Sequence, residues 1–386
     1  MSAASGAEAG SEERRTTPVE LLWDLVFVYA VTQVTALLAS DLSWSGLLHS
    51  MLILALVWWA WSAFVWAANA QAEDSATMRV ALLGSLVLIF VAGLAIPGAF
   101  DGKGPLFAIT YAGVRLVHLA LYADASRKGN ASWEAIAGFG AAVIAGMALL
   151  IAGSFLDGAT RVALWTAAVA IDYAGPAWLT RERLRGLQDV AVAHFAERYG
   201  LFIIICLGES IIAIGLAANH RALGAELIAT VVFGVLITIG LWWTYFGVVA
   251  EDAEHSLRRK NRDTVLAAAD GYSYMHLLLV AGITIFAVGI RFAVEDLGDP
   301  LSAAARLALC GGVALYLLGH VAFGLRMSGD LGIEELIAAA ATLLLFAFGA
   351  ALGAWTLVAV EAAIIALLCA AESGSVLLGH VGRLTS

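Results

Sequence analysis

Residues 14–33 read RRTTPVELLWDLVFVYAVTQ, and they put two carboxylates at the mouth of a long apolar run. Glu20 and Asp24 stand four positions apart, so a helix carries both on the face that also bears Phe27, Val31 and Thr35. From Leu25 to Val31 the chain is continuously apolar, with none of the period-two alternation that a barrel strand requires. The stretch reads as a membrane helix that begins with acids. Arg14 and Arg15 just before it hold its start on the cytoplasmic side, and Pro18 suits a first helical turn.

The composition agrees. Of the 386 residues, 61% are apolar and 13% charged, against roughly 45–50% and about 25% in soluble domains. Mean hydropathy is +0.88. The predicted fold is an all-α, polytopic membrane helix bundle whose first partner is the lipid bilayer. In such a chain a formal charge of −10 says little about partners. There is no basic stripe, so no nucleic acid is expected. Cys206, Cys310 and Cys369 lie far apart in apolar runs and read as buried small side chains. The first 17 residues are polar, with no separate apolar segment of the signal-peptide kind; they read as a disordered cytoplasmic tail.

Crossing the hydrocarbon core takes about 20 largely apolar residues. Twelve such runs occur, at 20–38, 47–68, 78–97, 105–122, 134–155, 160–179, 191–216, 225–249, 264–292, 303–325, 334–351 and 354–371, the last two parted by a short turn around Gly353. With the N-terminus inside, fourteen Lys and Arg fall on the cytoplasmic side and four outside, namely Lys103, Arg161, Arg221 and Arg306. That asymmetry obeys the positive-inside rule and places both termini in the cytoplasm.

Twelve spans invite a search for halves. Glu20 in VELLWDLVF matches Glu197 in AERYGLFII at an offset of 177, and Trp58-Trp59 matches Trp242-Trp243 at 184. Val91-Ala92-Gly93 then matches Val280-Ala281-Gly282 at 189, and Gly113-Val114 matches Gly312-Val313 at 199. Slowly growing offsets are what duplication followed by small loop insertions leaves. The expected organisation is a tail at 1–17 and two six-helix repeats at 18–185 and 186–386. An even number of spans makes the repeats parallel, related by an axis along the membrane normal, with their interface as a usual place for a pathway.

A charge at mid-bilayer costs about 2.5–3.5 kcal/mol, so ionisable residues within spans are functional candidates by default. The pathway candidates are Glu20, Asp24, Arg115, His118, Asp172, His194, Glu197, Arg198, Glu209 and Asp270. Glu20 and Asp24 are either interfacial, favoured by the positive helix terminus, or inward-facing as cation ligands, proton carriers or counter-ions of a buried arginine. On the seventh span His194, Arg198, Phe202, Ile205 and Glu209 share one stripe. Glu209 lies roughly 18 Å deeper than Glu197, beside Gly208, which would admit a close neighbour. Its two readings are an ion pair with Arg115, fixing the fourth and seventh spans, and a part in transport. Asp172 precedes Tyr173-Ala174-Gly175-Pro176, where glycine and proline should kink the sixth span. Asp270 and His276 read as satisfied packing contacts.

His194-x-x-Glu197 supplies too few ligands for zinc, so no metal site is assigned. Trp58, Trp59, Trp61, Trp66, Trp242 and Trp243 read as interfacial anchors and lipid-facing packing. No P-loop, nucleotide-binding GxGxxG, GxSxG or CxxC pattern is present. No cofactor is expected, and enzyme chemistry is the less favoured reading.

The two half-openings, TPVELLWDLVFVYAVTQ at 17–33 and HFAERYGLFIIICLGESIIAIG at 194–215, resemble the bacterial low temperature requirement A (LtrA) family. That pattern runs approximately TPxELFFDLVFVxAxxQ and ERxGLFxIIxLGES. Here Leu22-Trp23 replaces the usual paired phenylalanines and leaves the acids untouched. Glu20, Asp24, Glu197, Arg198, Gly200, Gly208, Glu209 and Ser210 match the recurrent positions. The resemblance implies a multi-pass protein of the bacterial inner membrane, associated by name with growth in the cold. It supplies no reaction. The six-plus-six layout is also similar to that of two-repeat cation channels of the lysosomal potassium type, a likeness of layout that assigns no function. The residues favour a transporter or channel for a small ion or solute. Behind it stand a structural or regulatory membrane protein, then a membrane-embedded lipid-modifying enzyme. The oligomeric state is open, and a homo-oligomer is compatible with the sequence.

Overall fold

The computed structural model describes residues 16–70, 75–176, 182, 187–188, 190–219, 221–259 and 264–384. All but the last two residues of the expected N-terminal tail lie outside them. Among the described residues the chain is helical, with no strand beyond an isolated bridge between Pro300 and Gly353.

The first half contains α1 (Pro18–Ser40), α2 (Trp44–Ala70), α3 (Ala76–Ala95), α4 (Gly104–Arg127), α5 (Trp133–Ser154) and α6 (Gly158–Ala174). The second contains α7 (Val192–Ala218), α8 (Ala225–Thr244), α9 (Thr264–Asp296), α10 (Ala303–Met327), α11 (Ile333–Phe348) and α12 (Ala354–Leu384). Among the described residues eleven helices are long and apolar enough to cross a membrane. The other is α6, whose expected span at 160–179 ends partly outside the described residues. Local chemistry sets several starts. Thr17 caps α1 in a reciprocal box with Glu20, ahead of Pro18. Ser75, Ser132 and Ser302 cap α3, α5 and α10.

Two π-helical stretches lie near each other in the second half. One, Tyr245–Val249, continues α8 into a short helix, Ala250–Arg259. The other, Ala269–Met275, lies near the start of α9. Such stretches place an extra residue in a turn and occur often at functional sites.

In the first half α1 packs on α2 and α3, α3 on α4, α4 on α5, α5 on α6, and α6 returns to α2. In the second α7 packs on α8 and α9, α9 on α10, α10 on α11, α11 on α12, and α12 returns to α8. The halves meet where α1 and α2 contact α7 and α9. α2 and α9 are the most enclosed helices, with 83% and 72% of their most apolar stretches buried. Glycine permits the closest contact. A Cβ on Gly282 would stand 2.5 Å from the Tyr316 nitrogen, and one on Gly289 or Gly312 would meet the backbone of Leu309 or Phe286. α9 and α10 therefore touch backbone to backbone, as small residues allow between membrane helices.

This arrangement corrects the tryptophan expectation in part. Trp58, Trp59 and Trp61 are buried inside the bundle, because α2 is surrounded by protein rather than lipid. Trp242 and Trp243 stay exposed on the outer surface of α8.

Candidate functional site

The capping box that starts α1 also aims Glu20. Its Oε2 accepts from the Thr17 backbone at 2.8 Å and from the Thr17 hydroxyl at 2.9 Å. One turn on, Asp24 occupies the same face, and both acids are buried, at 2% and 0% exposure. Opposite them α7 presents His194 and Arg198, also one turn apart. Arg198 Nε donates to Asp24 Oδ2 at 3.0 Å and Nη2 to Oδ1 at 2.5 Å, while Nη1 lies 3.0 Å from Glu20 Oε1. Trp61 Nε1 donates to Asp24 Oδ1 at 2.7 Å, and His194 Nε2 lies 3.4 Å from Glu20 Oε2. Of the readings open for these two acids, counter-ions of a buried arginine is the one the geometry displays. Two carboxylates face one guanidinium, with the His194 imidazole beside the first of them.

Deeper along the same seam Thr32 Oγ1 donates to Glu209 Oε2 at 2.7 Å. The expected pair of Glu209 with Arg115 does not form. α4 packs on α2, α3 and α5, not on α7. Arg115 instead donates to Asp172 Oδ1 at 2.8 Å and to the Trp59 carbonyl at 3.3 Å. Gly208 likewise does not admit a neighbour, since a Cβ there would meet nothing within 4 Å.

The remaining candidates separate. Glu197 is exposed and accepts from the Thr16 backbone at 3.3 Å, so it does not join His194 across the helix. Asp270 accepts from Arg326 Nε at 2.9 Å and Nη2 at 2.7 Å. His276 lies between the Gly271 carbonyl, 3.1 Å from Nδ1, and the Tyr245 hydroxyl, 2.7 Å from Nε2. A carbonyl only accepts, so Nδ1 carries the proton and the tyrosine donates to Nε2.

Sequence reasoning missed a second network beside the seam. Ser273, within the π-helical stretch of α9, accepts at its hydroxyl from Trp66 Nε1 at 2.8 Å and Ser62 at 2.9 Å, with the Tyr199 hydroxyl 3.0 Å away. Its carbonyl accepts from Trp58 Nε1 at 2.7 Å. The available signal was spacing on α2: Trp58, Ser62 and Trp66 recur every four residues and so share one face. The network ties α2 to α7 and α9 across the boundary between the halves.

Next to it lies a cavity of about 70 Å³ open to water-sized molecules, walled by α2, α4, α5, α6 and α9. Arg115, His118 and Asp172 line it together with Ser62 and Ser273. Three of the intramembrane candidates, on two helices of the first half, thus meet at one space. The ionic cluster and the cavity lie toward the same end of the bundle, the end at which α1, α7 and α9 begin and α2, α4 and α6 finish.

The family model described as "Bacterial low temperature requirement A protein (LtrA)" matches residues 15–370. An uncharacterized protein of Rhizobium meliloti (strain 1021) is 30% identical over 324 residues, covering 80% of this chain and 77% of the relative. The chain belongs to the low temperature requirement A family and, with its many apolar helices, is a multi-pass membrane protein.

Proposed function

We propose that this low temperature requirement A family member is an inner-membrane transporter or channel for a small ion or solute, with its pathway along the α1–α7 seam. The observation that carries the reading is the placement of acids at two depths on that seam, Glu20 and Asp24 near one end and Glu209 farther in. Buried acids at a helix interface are costly in lipid and mark ion or solute routes. The matching order of helix packing in the two halves supports a parallel six-plus-six layout, with both termini cytoplasmic by the positive-inside rule.

Flux measured in proteoliposomes tests this. Glu209→Gln and Asp24→Asn should each change the rate at least tenfold while the protein stays folded. Wild-type rates in both variants remove the seam as pathway.

A structural or regulatory reading has one observation in its favour. Both Asp24 oxygens are engaged, by Arg198 and Trp61, as in a contact that serves assembly. In that case the same variants lose stability and show no substrate dependence.

A further inference from the structure

The two π-helical stretches of the second half converge on one pocket. Tyr245 and Phe246 belong to the first stretch and Tyr272 to the second, and all three line a cavity of about 340 Å³ open to water-sized molecules. Pockets for small ligands begin at about 300 Å³. α7 supplies lining from Ala193 to Ile204, roughly 16 Å of helix. Glu197 and Gly200 of the ERYG motif stand in that wall, one position on either side of the pair Arg198-Tyr199. A Cβ on Gly200 would come within 3.2 Å of the Phe246 ring, so the glycine keeps this space open. The pocket lies at the end of the bundle where α7 begins, beside the α1 seam.

Charge decides what the pocket accepts. Glu197 is exposed, and its one hydrogen bond among the described residues is the 3.3 Å contact that Oε2 accepts from the Thr16 backbone. The neighbouring Arg198 turns away into the seam, to Glu20 and Asp24. The second acid, Glu254, accepts from Arg258 through Oε1 alone, in an i,i+4 pair open to solvent and so worth little. No Lys, Arg or His is among the described lining residues. An entering cation therefore finds one carboxylate without a counter-ion and a second loosely held, whereas an anion finds no charge to meet it. A bare metal ion wants six or more oxygens around it, which this lining does not offer. The aromatic wall instead suits a cation with a carbon body, because ring quadrupoles attract organic ammonium groups.

We propose that this pocket binds a small organic ammonium ion, its charge held by Glu197 and Glu254 and its carbon body set against Tyr245, Phe246 and Tyr272. The proposal deepens the transport reading by naming a substrate class, and it rests on that reading only for the ligand's passage, not for its binding.

Equilibrium dialysis of the full chain in lipid nanodiscs, with radiolabelled choline and benzylamine at constant ionic strength, tests it. One saturable site for at least one of the two ions is the expected result. The uncharged analogue of that ion, 3,3-dimethylbutanol or benzyl alcohol, should compete at least tenfold less well. Glu197→Gln should weaken binding at least tenfold, and because Glu197 is exposed the variant should keep the wild-type size-exclusion profile. Phe246→Leu, which keeps an apolar wall and removes the ring, should weaken binding at least threefold. Binding of neither ion, equal competition by the uncharged analogue, or affinity unchanged in either variant overturns the site. Flux separates the two readings. An ammonium ion bound but never carried keeps the site and counts against transport, whereas Glu209-dependent flux of another solute without ammonium binding does the reverse.

Discussion

Thr32 donates a 2.7 Å hydrogen bond to Glu209, and the two residues are 177 positions apart, the offset that aligns Glu20 with Glu197. The other seam contacts have similar separations, 174 for His194 with Glu20 and for Arg198 with Asp24, and 181 for Thr16 with Glu197. Contacts that follow the same order along both helices mean that α1 and α7 run parallel.

The bond itself should be worth little for stability. Hydrogen bonds between membrane helices average about 0.6 kcal/mol, so Thr32→Val should destabilise the chain by about that amount. Glu209→Gln keeps an acceptor for the threonine and should unfold like wild type. Denaturant titrations in detergent check both. A loss of several kcal/mol in Glu209→Gln would mean that the carboxylate has a charged partner, contrary to the contacts described.

Arg198 should be far less tolerant. Removing one partner from a buried pair leaves uncompensated charge and costs about 3–5 kcal/mol. Here Arg198→Gln takes from Asp24 its cation and from Glu20 one of its partners, so it should abolish folded yield or lower stability by at least that much. Neutralising the acids as well, with Glu20→Gln and Asp24→Asn, should recover most of the loss. Size-exclusion profiles of the single and triple variants decide it, and a triple variant no better than the single one would sink the charge argument.

The contrast between Glu209 and Arg198 shows what could be read from sequence. Helical period is legible in the sequence: it puts Glu20 and Asp24 on one face and His194 and Arg198 on one stripe, and these two faces meet. Lateral neighbourhood is not. Depth alone made Arg115 a plausible partner for Glu209, but helix order around the bundle gave it Asp172. The tryptophans of α2 misled for a related reason. In a membrane chain apolar sequence looks alike whether it meets lipid or protein, so nothing in Trp58-Trp59-Ala60-Trp61 announces that α2 is enclosed. The ring of donors around Ser273 depends on that enclosure.

Arg115 and Asp172 lend themselves to a double-mutant cycle. Either single neutralisation, Arg115→Gln or Asp172→Asn, should cost about 3–5 kcal/mol by leaving a buried charge unpaired. The double variant should be more stable than either, and exchanging the two residues should recover part of the loss. Additive losses would indicate that each residue is held by other contacts.

The backbone contact between α9 and α10 gives the last test. At Gly289 and Gly312 a Cβ would run into the backbone of the facing helix, where no rotamer change can relieve it, whereas at Gly84, Gly208 and Gly215 it would meet nothing within 4 Å. Gly312→Ala and Gly289→Ala should therefore push α9 and α10 apart, costing at least the 1–3 kcal/mol or so typical of overpacking. Because α9 also carries Ser273, which receives Trp58, Trp66 and Ser62, that displacement should reach the boundary between the halves and shift tryptophan fluorescence. Gly208→Ala, although it alters a position matching the family pattern beside Glu209, should leave stability within about 0.5 kcal/mol of wild type. If Gly208→Ala proved the more damaging substitution, a partner would have to cover that face of α7, and the second copy of the chain would be the first to look for by crosslinking.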